Sequence, residues 1–496
     1  MQHLTNQEYL FFSKLIRAVL SNPFSDDRDI LYGVVSKKYL SESEKNAKIH
    51  FFKKLQPLLN DHLAKLEQRQ LTRLEHFEGM ENRVMYFAFI ITIYLQFVDD
   101  FDAYIEVQSQ KTQNSLSFSK GAEILEQLKQ RGFCPKESVR LLELLYQFRR
   151  GYLFILHGLV GQSPCMIKLR ANLWNNLFTF DVLNYHQSLW NQMEDFSLFL
   201  VGETGTGKGS AAKAIGLSGH IHYDQQSQSF RDHYQDIYVE SNLSQYAENL
   251  IESELFGHKK GAFTGAFDNY QGLFSRCKLN GLLFLDEIGD ISESIQIKLL
   301  KVLQERTFTP VGCRQAEEFH GRIIAAANQP LAQLRYDGKI RDDFYYRLCS
   351  DIIEIPPLRR RLQEHPKELQ LLTKALVKRI CHEPNQGIEQ TVLDALSKHI
   401  KPNYTWPGNV RELEQAIRRI ILRGSYHGDR IRLNTQDPTE TLLAQLADTG
   451  HDLKSLNARY CQMLYQQLGT YDAVATHTQI DRRTVKKYVD QLNAES

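Results

Sequence analysis

The chain has 496 residues, 42% of them hydrophobic and 24% charged, with 60 Lys plus Arg against 59 Asp plus Glu for a net charge of +1. At roughly 100–200 residues per domain this is about three domains with ample core, so folding needs neither disulfides nor structural metals. The balanced charge excludes a uniformly basic nucleic-acid binder, so any such contact has to come from a local patch. Seven cysteines (Cys134, Cys165, Cys277, Cys313, Cys349, Cys381 and Cys461) are scattered without a C-x-x-C pair, which argues against a zinc ribbon, a thioredoxin-like motif and a secreted disulfide framework. No basic segment followed by an apolar core opens the chain, and the apolar run from Tyr86 to Val98 is too short to cross a bilayer. The expectation is a cytoplasmic protein.

Residues 1–155 read as helical. Ser41 and Glu44 form a capping box ahead of Phe52, Leu55, Leu58, Leu59, Leu63 and Leu66, and a second pattern runs through Leu141, Leu142, Leu145, Phe148 and Tyr152. Asp99, Asp100 and Asp102 read as a solvated helix end and the aromatic stretch 86–101 as core. His62 and His76 read as surface polar residues, since neither sits in an E-x-x-H pair.

From about Gly158 the texture changes. Short apolar runs at 196–201 and 282–285 end in Gly or acidic residues and are followed by helical patterns, as buried parallel strands with crossover helices are. Beyond Pro356 and Pro357 the sequence is helical to about Gly424. A polar stretch at 425–450 then precedes a last helical piece. The expected fold class is multidomain: an α-helical N-terminal domain (1–155), an α/β P-loop subdomain (156–352) with a helical lid (353–430), a linker (431–452) and a three-helix C-terminal domain (453–496).

Gly202, Glu203, Thr204, Gly205, Thr206, Gly207 and Lys208 spell G-x-x-x-x-G-K between a strand and a helix. Glycines let successive backbone N–H groups curl around phosphate oxygens, and the lysine supplies a point charge. Gly209 stands where most P-loops place a magnesium-ligating Ser or Thr, and Ser210 lies about 100° further around the helix. The apolar strand at 282–285 ends in Asp286 and Glu287. In P-loop enzymes the first acid holds Mg2+ and the second orients or deprotonates the attacking water.

The stretch from Glu252 to Ala266 (ESELFGHKKGAFTGA) resembles the bacterial enhancer-binding proteins, the AAA+ ATPases that activate sigma-54 RNA polymerase. The resemblance runs from about Gly158 to Arg423 and includes RIIAAAN at 322–328, RDDFYYRL at 341–348, IPPLR at 355–359 and WPGNVREL at 406–413. It implies a ring, expected to be a hexamer, with ATP and Mg2+ between subunits. Lys208 would hold phosphates, Asp286 the magnesium and Glu287 the water, with Asn328 and Arg411 also at the nucleotide. Asn242 matches the family's switch asparagine, and Arg341 and Arg347 match the arginines offered to the neighbouring subunit's site. Gly261, Ala262, Phe263, Thr264, Gly265 and Ala266 would form the loop tip that touches sigma-54.

Three departures stand out. Gly209 replaces the usual glutamate, Ala327 precedes Asn328 where relatives carry threonine, and the stretches between Lys208 and Asn242 and at 178–195 are inserted relative to most members.

The C-terminal piece resembles the family's Fis-like helix-turn-helix. Its second helix is expected at 471–477 and its turn at 478–480, with Gln479 where glycine is common. Its recognition helix, capped by Asp481, carries Arg482, Arg483, Thr484, Lys486 and Lys487. The arginines would read base edges and the lysines phosphates of double-stranded upstream DNA.

The implied function is an ATP-hydrolysing activator that binds upstream DNA and remodels sigma-54 RNA polymerase in the bacterial cytoplasm, at the nucleoid, under control of an unknown effector at 1–155. Gly209 and Ala327 motivate a second reading, a DNA-binding repressor with a nucleotide-gated, weakly hydrolysing oligomerisation core. A third reading is a remodeller of another protein, with the C-terminal helices as adaptor.

Overall fold

The computed structural model describes residues 3–25, 48–110, 116–401, 404–428 and 453–495. The capping box expected at Ser41 and Glu44 and the linker at 431–452 lie outside the described residues. The chain divides into two compact units, Met1–His427 and Gly428–Ser496.

The first unit opens with helices α1 (Asn6–Leu20), α2 (Lys48–Gln68), α3 (Gly79–Gln110), α4 (Lys120–Gln130), α5 (Pro135–Gly158) and α6 (Pro164–Phe178). Thr5 and Glu8 close a capping box at the start of α1. The 32-residue α3 is long and apolar enough to cross a membrane by length and composition, so the short run read from sequence understated it. Most of its apolar side chains are nevertheless covered: Met85, Ala88, Phe89, Phe97 and Phe101 are buried in the core it shares with α1, α2, α4 and α5. The three aspartates lie inside this helix and not at its end, and Asp102 accepts a forked ion pair from Arg149 of α5.

The α/β part is a five-stranded parallel sheet in the order β4-β5-β8-β1-β9. Its strands are β1 (Leu198–Val201), β4 (Tyr238–Asn242), β5 (Leu282–Asp286), β8 (Arg322–Ala327) and β9 (Asp351–Glu354). Two short hairpins, β2 (Tyr223–Asp224) with β3 (Ser229–Phe230) and β6 (Thr307–Phe308) with β7 (Glu317–Glu318), stand apart from it. Side chains alternate between the faces as strand geometry requires. Leu198, Leu200, Leu282, Phe284, Ile324 and Ala326 enter one core, which includes α6 and α7 (Lys208–Gly216), while Phe199, Leu283, Leu285, Ile323 and Ala325 enter the other. That second core includes α8 (Glu248–Phe256), α9 (Glu293–Glu305) and α10 (Asp342–Leu348).

A lid of α11 (Leu358–Glu364), α12 (Glu368–Cys381), α13 (Gln386–His399) and α14 (Asn409–Arg423) follows. It is tied to the start of α6 by a buried pair, Arg361 to Glu368 at 2.8 Å, whose carboxylate also accepts the Gln162 and Ser163 N–H groups.

The two stretches that the sequence suggested to be inserted have a structural role. Leu217, Ile221, Tyr223, Phe230, Tyr234 and Ile237, all between α7 and β4, share a core with the N-terminal helices. One face of α5 reads the backbone of that segment at i, i+4 and i+7. Glu143 accepts from Tyr223 N–H (2.8 Å), Gln147 Nε2 donates to Ser218 O (3.0 Å), and Arg150 donates to Leu217 O (2.8 Å) and Gly219 O (2.6 Å). In the other insertion His186 hydrogen-bonds Tyr86 of α3 at 2.8 Å, and Val182, Leu183 and His186 help line an apolar cavity of about 110 Å³.

In the second unit, α15 (Leu453–Leu468), α16 (Tyr471–Thr478) and α17 (Arg482–Glu495) close over Cys461, Met463, Leu464, Val474, Val485 and Val489. The turn therefore starts at Gln479, one residue later than expected. Gln479 takes the left-handed conformation (φ 55°) that glycine adopts without strain.

Candidate functional site

Ligands of open α/β sheets bind at the carboxyl ends of the strands, and the sequence-predicted nucleotide residues converge there. Gly202 to Gly207 leave β1, with Gly205 (φ 79°) and Gly207 (φ 108°) in backbone conformations that a side chain would strain. No atom lies within 4 Å of where a Cβ on Gly207 would sit, so this part of the loop is open on that side. Lys208 opens α7 and is buried, its ammonium donating to Gly202 O at 2.7 Å. Thr206 Oγ1 donates to Glu203 O (2.8 Å) and braces the loop. Gly209 has ordinary helical backbone with only Phe284 near its Cβ direction, at 4.0 Å, and Ser210 faces outward.

Asp286 ends β5 in register with Asn242 of β4. Glu287 follows with φ 58° and ψ 45°, a left-handed conformation rare outside glycine and asparagine, and it aims the second carboxylate out of the strand direction. Burial raises the pKa of Asp286, against the pull of Lys208. Burial, with the Asp286 charge next, raises that of Glu287, against Lys208 and the Asn328 backbone N–H. Lys208 is lowered, by burial first, while both acids pull it back up. Two carboxylates and one ammonium thus share a partly dry crevice, an arrangement that fits a divalent cation and phosphate oxygens. Asn328 follows β8, beside Ala327, whose carbonyl accepts from Gly202 N–H at 3.4 Å. Asn242 does not meet Glu287: its Oδ1 accepts from Ser244 N–H (3.0 Å) and Ser244 Oγ (2.7 Å).

Besides Arg411, the lid seats on the loop through residues to which the sequence reading gave no role. Arg359 makes a two-pronged contact with Glu203, which lowers the Glu203 pKa. Asn409 Nδ2 donates to Glu203 Oε2 and Thr204 O, both at 3.1 Å. Gly205 O accepts from Val410 N–H (3.0 Å) and Arg411 N–H (3.3 Å). Both Arg359 and Asn409 sit inside quoted family motifs, so a signal existed without a role attached. The exposed Arg411 side chain lies close enough to Lys208 and Asp286 to shift both.

Arg341 and Arg347 lie elsewhere, at the start and near the end of α10. Arg341 pairs with Asp343 (3.0 Å) and Glu293, and Arg347 donates to Leu303 O (3.0 and 2.8 Å).

The Gly261 to Ala266 segment is a turn closed on itself, with Gly261 N–H on Ala266 O (2.8 Å) and Ala266 N–H on Phe263 O (3.0 Å). Gly261 (φ 82°) and Gly265 (φ 104°) allow the bend, Ala262 packs on Gly312, and Phe263, Thr264 and Phe267 face outward. Phe267 is 79% exposed.

Residues 182–354 match the family described as "Sigma-54 interaction domain", and residues 363–436 match "AAA+ ATPase lid domain". The chain carries a sigma-54 interaction domain followed by an AAA+ lid. The match begins at residue 182, so most of the 178–195 stretch that the sequence suggested to be inserted, His186 included, lies within the matched domain, which ends with β9.

Among curated relatives, the chain is 34% identical over 306 residues to the DNA-binding transcriptional activator HyfR of Escherichia coli (strain K12), covering 60% of this chain and 42% of the relative. It is 43% identical over 263 residues to the Nif-specific regulatory protein of Azotobacter vinelandii, covering 53% and 44%. To the sigma54-dependent transcriptional regulator SfnR of Pseudomonas fluorescens (strain Pf0-1) it is 36% identical over 241 residues, covering 48% and 60%. The chain spans about half the length of these relatives.

On α17, Arg482, Arg483, Lys486 and Lys487 are exposed and Thr484 is half-buried. Arg482 pairs with Asp472 of α16 at 2.9 Å, and Asp481 caps the helix through Arg483 N–H (2.9 Å).

Proposed function

We propose that this protein is an ATP-hydrolysing activator of sigma-54 RNA polymerase. The observation that carries the reading is the self-closed Gly261–Ala266 turn, which presents Phe263 and Thr264 on the same α/β subdomain that joins a P-loop to Asp286 and Glu287. An apolar ring and a hydroxyl held on a short bonded turn suit a protein contact. The repressor reading gives that turn no task and is not favoured.

In the proposed reaction Lys208 and the N–H groups of the glycine loop bind the β- and γ-phosphates of ATP, and Asp286 would hold Mg2+. The ion would neutralise charge that develops on the phosphoryl oxygens. Glu287 orients the water that attacks the γ-phosphorus and takes its proton, so the β–γ bond breaks and ADP leaves. Arg341 and Arg347, offered from a neighbouring subunit of a ring, stabilise the transferring group and make hydrolysis depend on assembly. Their present partners, Asp343, Glu293 and the Leu303 carbonyl, hold them until then. Arg359 and Asn409 convey the state of the loop to the lid. The second unit is a helix-turn-helix that places α17 in the major groove of upstream DNA, with Arg482 and Arg483 at base edges, Thr484 beside them and Lys486 and Lys487 on phosphates. Residues 1–155 form the regulatory domain.

The test is promoter opening by sigma-54 RNA polymerase with the full chain, comparing ATP with a non-hydrolysable analogue. Opening that requires hydrolysis and is lost in Thr264→Ala is expected. Hydrolysis and DNA binding without any opening would refute the activator reading.

A further inference from the structure

We propose that Glu143, His220 and His222 bind one divalent transition-metal ion of the zinc class, which clamps α5 to the segment joining α7 to β4. None of the three belongs to the nucleotide site, the sigma-54 turn or the DNA-facing helix. His220 and His222 flank Ile221, whose side chain is buried in the N-terminal core. The alternation of an extended chain sends the two imidazoles to the other side together, toward α5. There His220 Nε2 lies 3.3 Å from Glu143 Oε2, and His222 Nδ1 lies 3.4 Å from Glu143 Oε1. One ligand atom from each residue can be chosen so that all three fall within 4.8 Å of one another.

The two histidine-to-carboxylate spacings are those of a coordination shell. Ligand atoms about 2.0–2.2 Å from a tetrahedral zinc stand about 3.3–3.6 Å from each other. Two imidazoles and one carboxylate, with one position left for water, are a common donor set for that ion.

The second observation is His220 itself. It is 4% exposed, and neither of its ring nitrogens has a hydrogen-bond partner among the described residues. At 3.3 Å from the carboxylate, Nε2 still lacks the alignment of a hydrogen bond. An imidazole buried in this way without a partner costs on the order of 1–3 kcal/mol, which a metal at Nε2 would offset. The carboxylate is already oriented from behind, since Glu143 Oε1 accepts from Tyr223 N–H at 2.8 Å, the outer-shell support that metal ligands need. His220 also lines a cavity of about 40 Å³ with Gln147, Trp190 and Glu194, large enough for a water. The clamp adds a bond across the junction that Gln147 and Arg150 already secure.

The experiment uses the tag-free full chain, stripped with a chelator and titrated with Zn2+ against a chromophoric competitor and, separately, with Co2+. The expected result is one equivalent bound, with a Co2+ visible spectrum that lacks the near-ultraviolet thiolate band, because the cysteines are not ligands. His222→Ala, at a side chain 37% exposed and so tolerated by the fold, is expected to weaken binding about tenfold or more. Glu143→Gln keeps an acceptor for Tyr223 N–H, loses the charge and should weaken binding similarly. Zn2+ should raise the thermal midpoint of the parent and not of His222→Ala. No binding at micromolar metal, equal binding by parent and both variants, or a thiolate band in the Co2+ spectrum would each overturn the proposal.

Discussion

Arg150→Met tests what joins the N-terminal helices to the ATPase core. The guanidinium is fully buried, lies 4.4 Å from the Tyr146 ring centre and donates to two carbonyls of the inserted segment, at 2.8 and 2.6 Å. Methionine fills much of the same volume but leaves Leu217 O and Gly219 O without that donor. Two charge-assisted bonds at about 1.5–3 kcal/mol each give a gross loss of about 3–6 kcal/mol. Relief of the buried cation's desolvation offsets part of this and leaves about 2–4 kcal/mol. Native-state hydrogen exchange reads the effect where it arises. Protection at 217–223 should fall about 30- to 900-fold, with the β5 and β8 amides unchanged. Arg150→Lys, able to reach one carbonyl at most, should fall in between. Unchanged protection at 217–223 in Arg150→Met would refute the reasoning, since the junction would then rest on apolar packing alone.

Burial holds His186 near a pKa of about 4 from an ordinary 6.5, so between those values the unfolded chain binds the extra proton and stability falls as pH drops. At pH 5 the loss is about 2 kcal/mol, and His186→Gln should flatten that part of the thermal midpoint against pH. Gly209→Ala has room and a compatible backbone, so α7 should gain about 0.4–1 kcal/mol with nucleotide affinity unchanged by calorimetry; a large loss of affinity would mean the glycine is needed for the loop to close. Gln479→Gly removes the left-handed strain in the C-terminal turn and should slow exchange in α16 and α17 by an amount worth about 1 kcal/mol. Faster exchange there would show that the side chain, not the backbone, matters at that turn.

Most of the candidate nucleotide site was legible because its chemistry is local. A glycine loop needs consecutive residues, and two carboxylates at a strand end are neighbours in sequence. The strand-then-glycine and strand-then-acid punctuation located β1 and β5, and the family motifs located the turn at Gly261 to Ala266. The helical reading of 1–155 matches the helices at Asn6–Leu20, Lys48–Gln68, Gly79–Gln110, Lys120–Gln130 and Pro135–Gly158, because helix periodicity is also a local signal; of the aromatic stretch read as core, Phe89, Phe97 and Phe101 are buried, while Phe87 and Tyr94 line a cavity. Asp102 was misread as a helix end, since its partner Arg149 is 47 positions away and nothing beside it announces the pair. Arg359 lay in a family motif but drew no role for the same reason, its contact with Glu203 spanning 156 positions.

By itself the sequence determined the glycine loop after one strand, the paired acids after another and the helical texture on either side of them, all of which rest on residues within a few positions of one another. Only the tertiary structure decided what the inserted segments do. The face of α5 that carries Glu143, Gln147 and Arg150 meets backbone 67 to 80 positions later, and a contact of that kind leaves no period or spacing to read. The same folding brought His220 and His222 to Glu143. Burial and distance in space, set by packing, made three ordinary residues into a site.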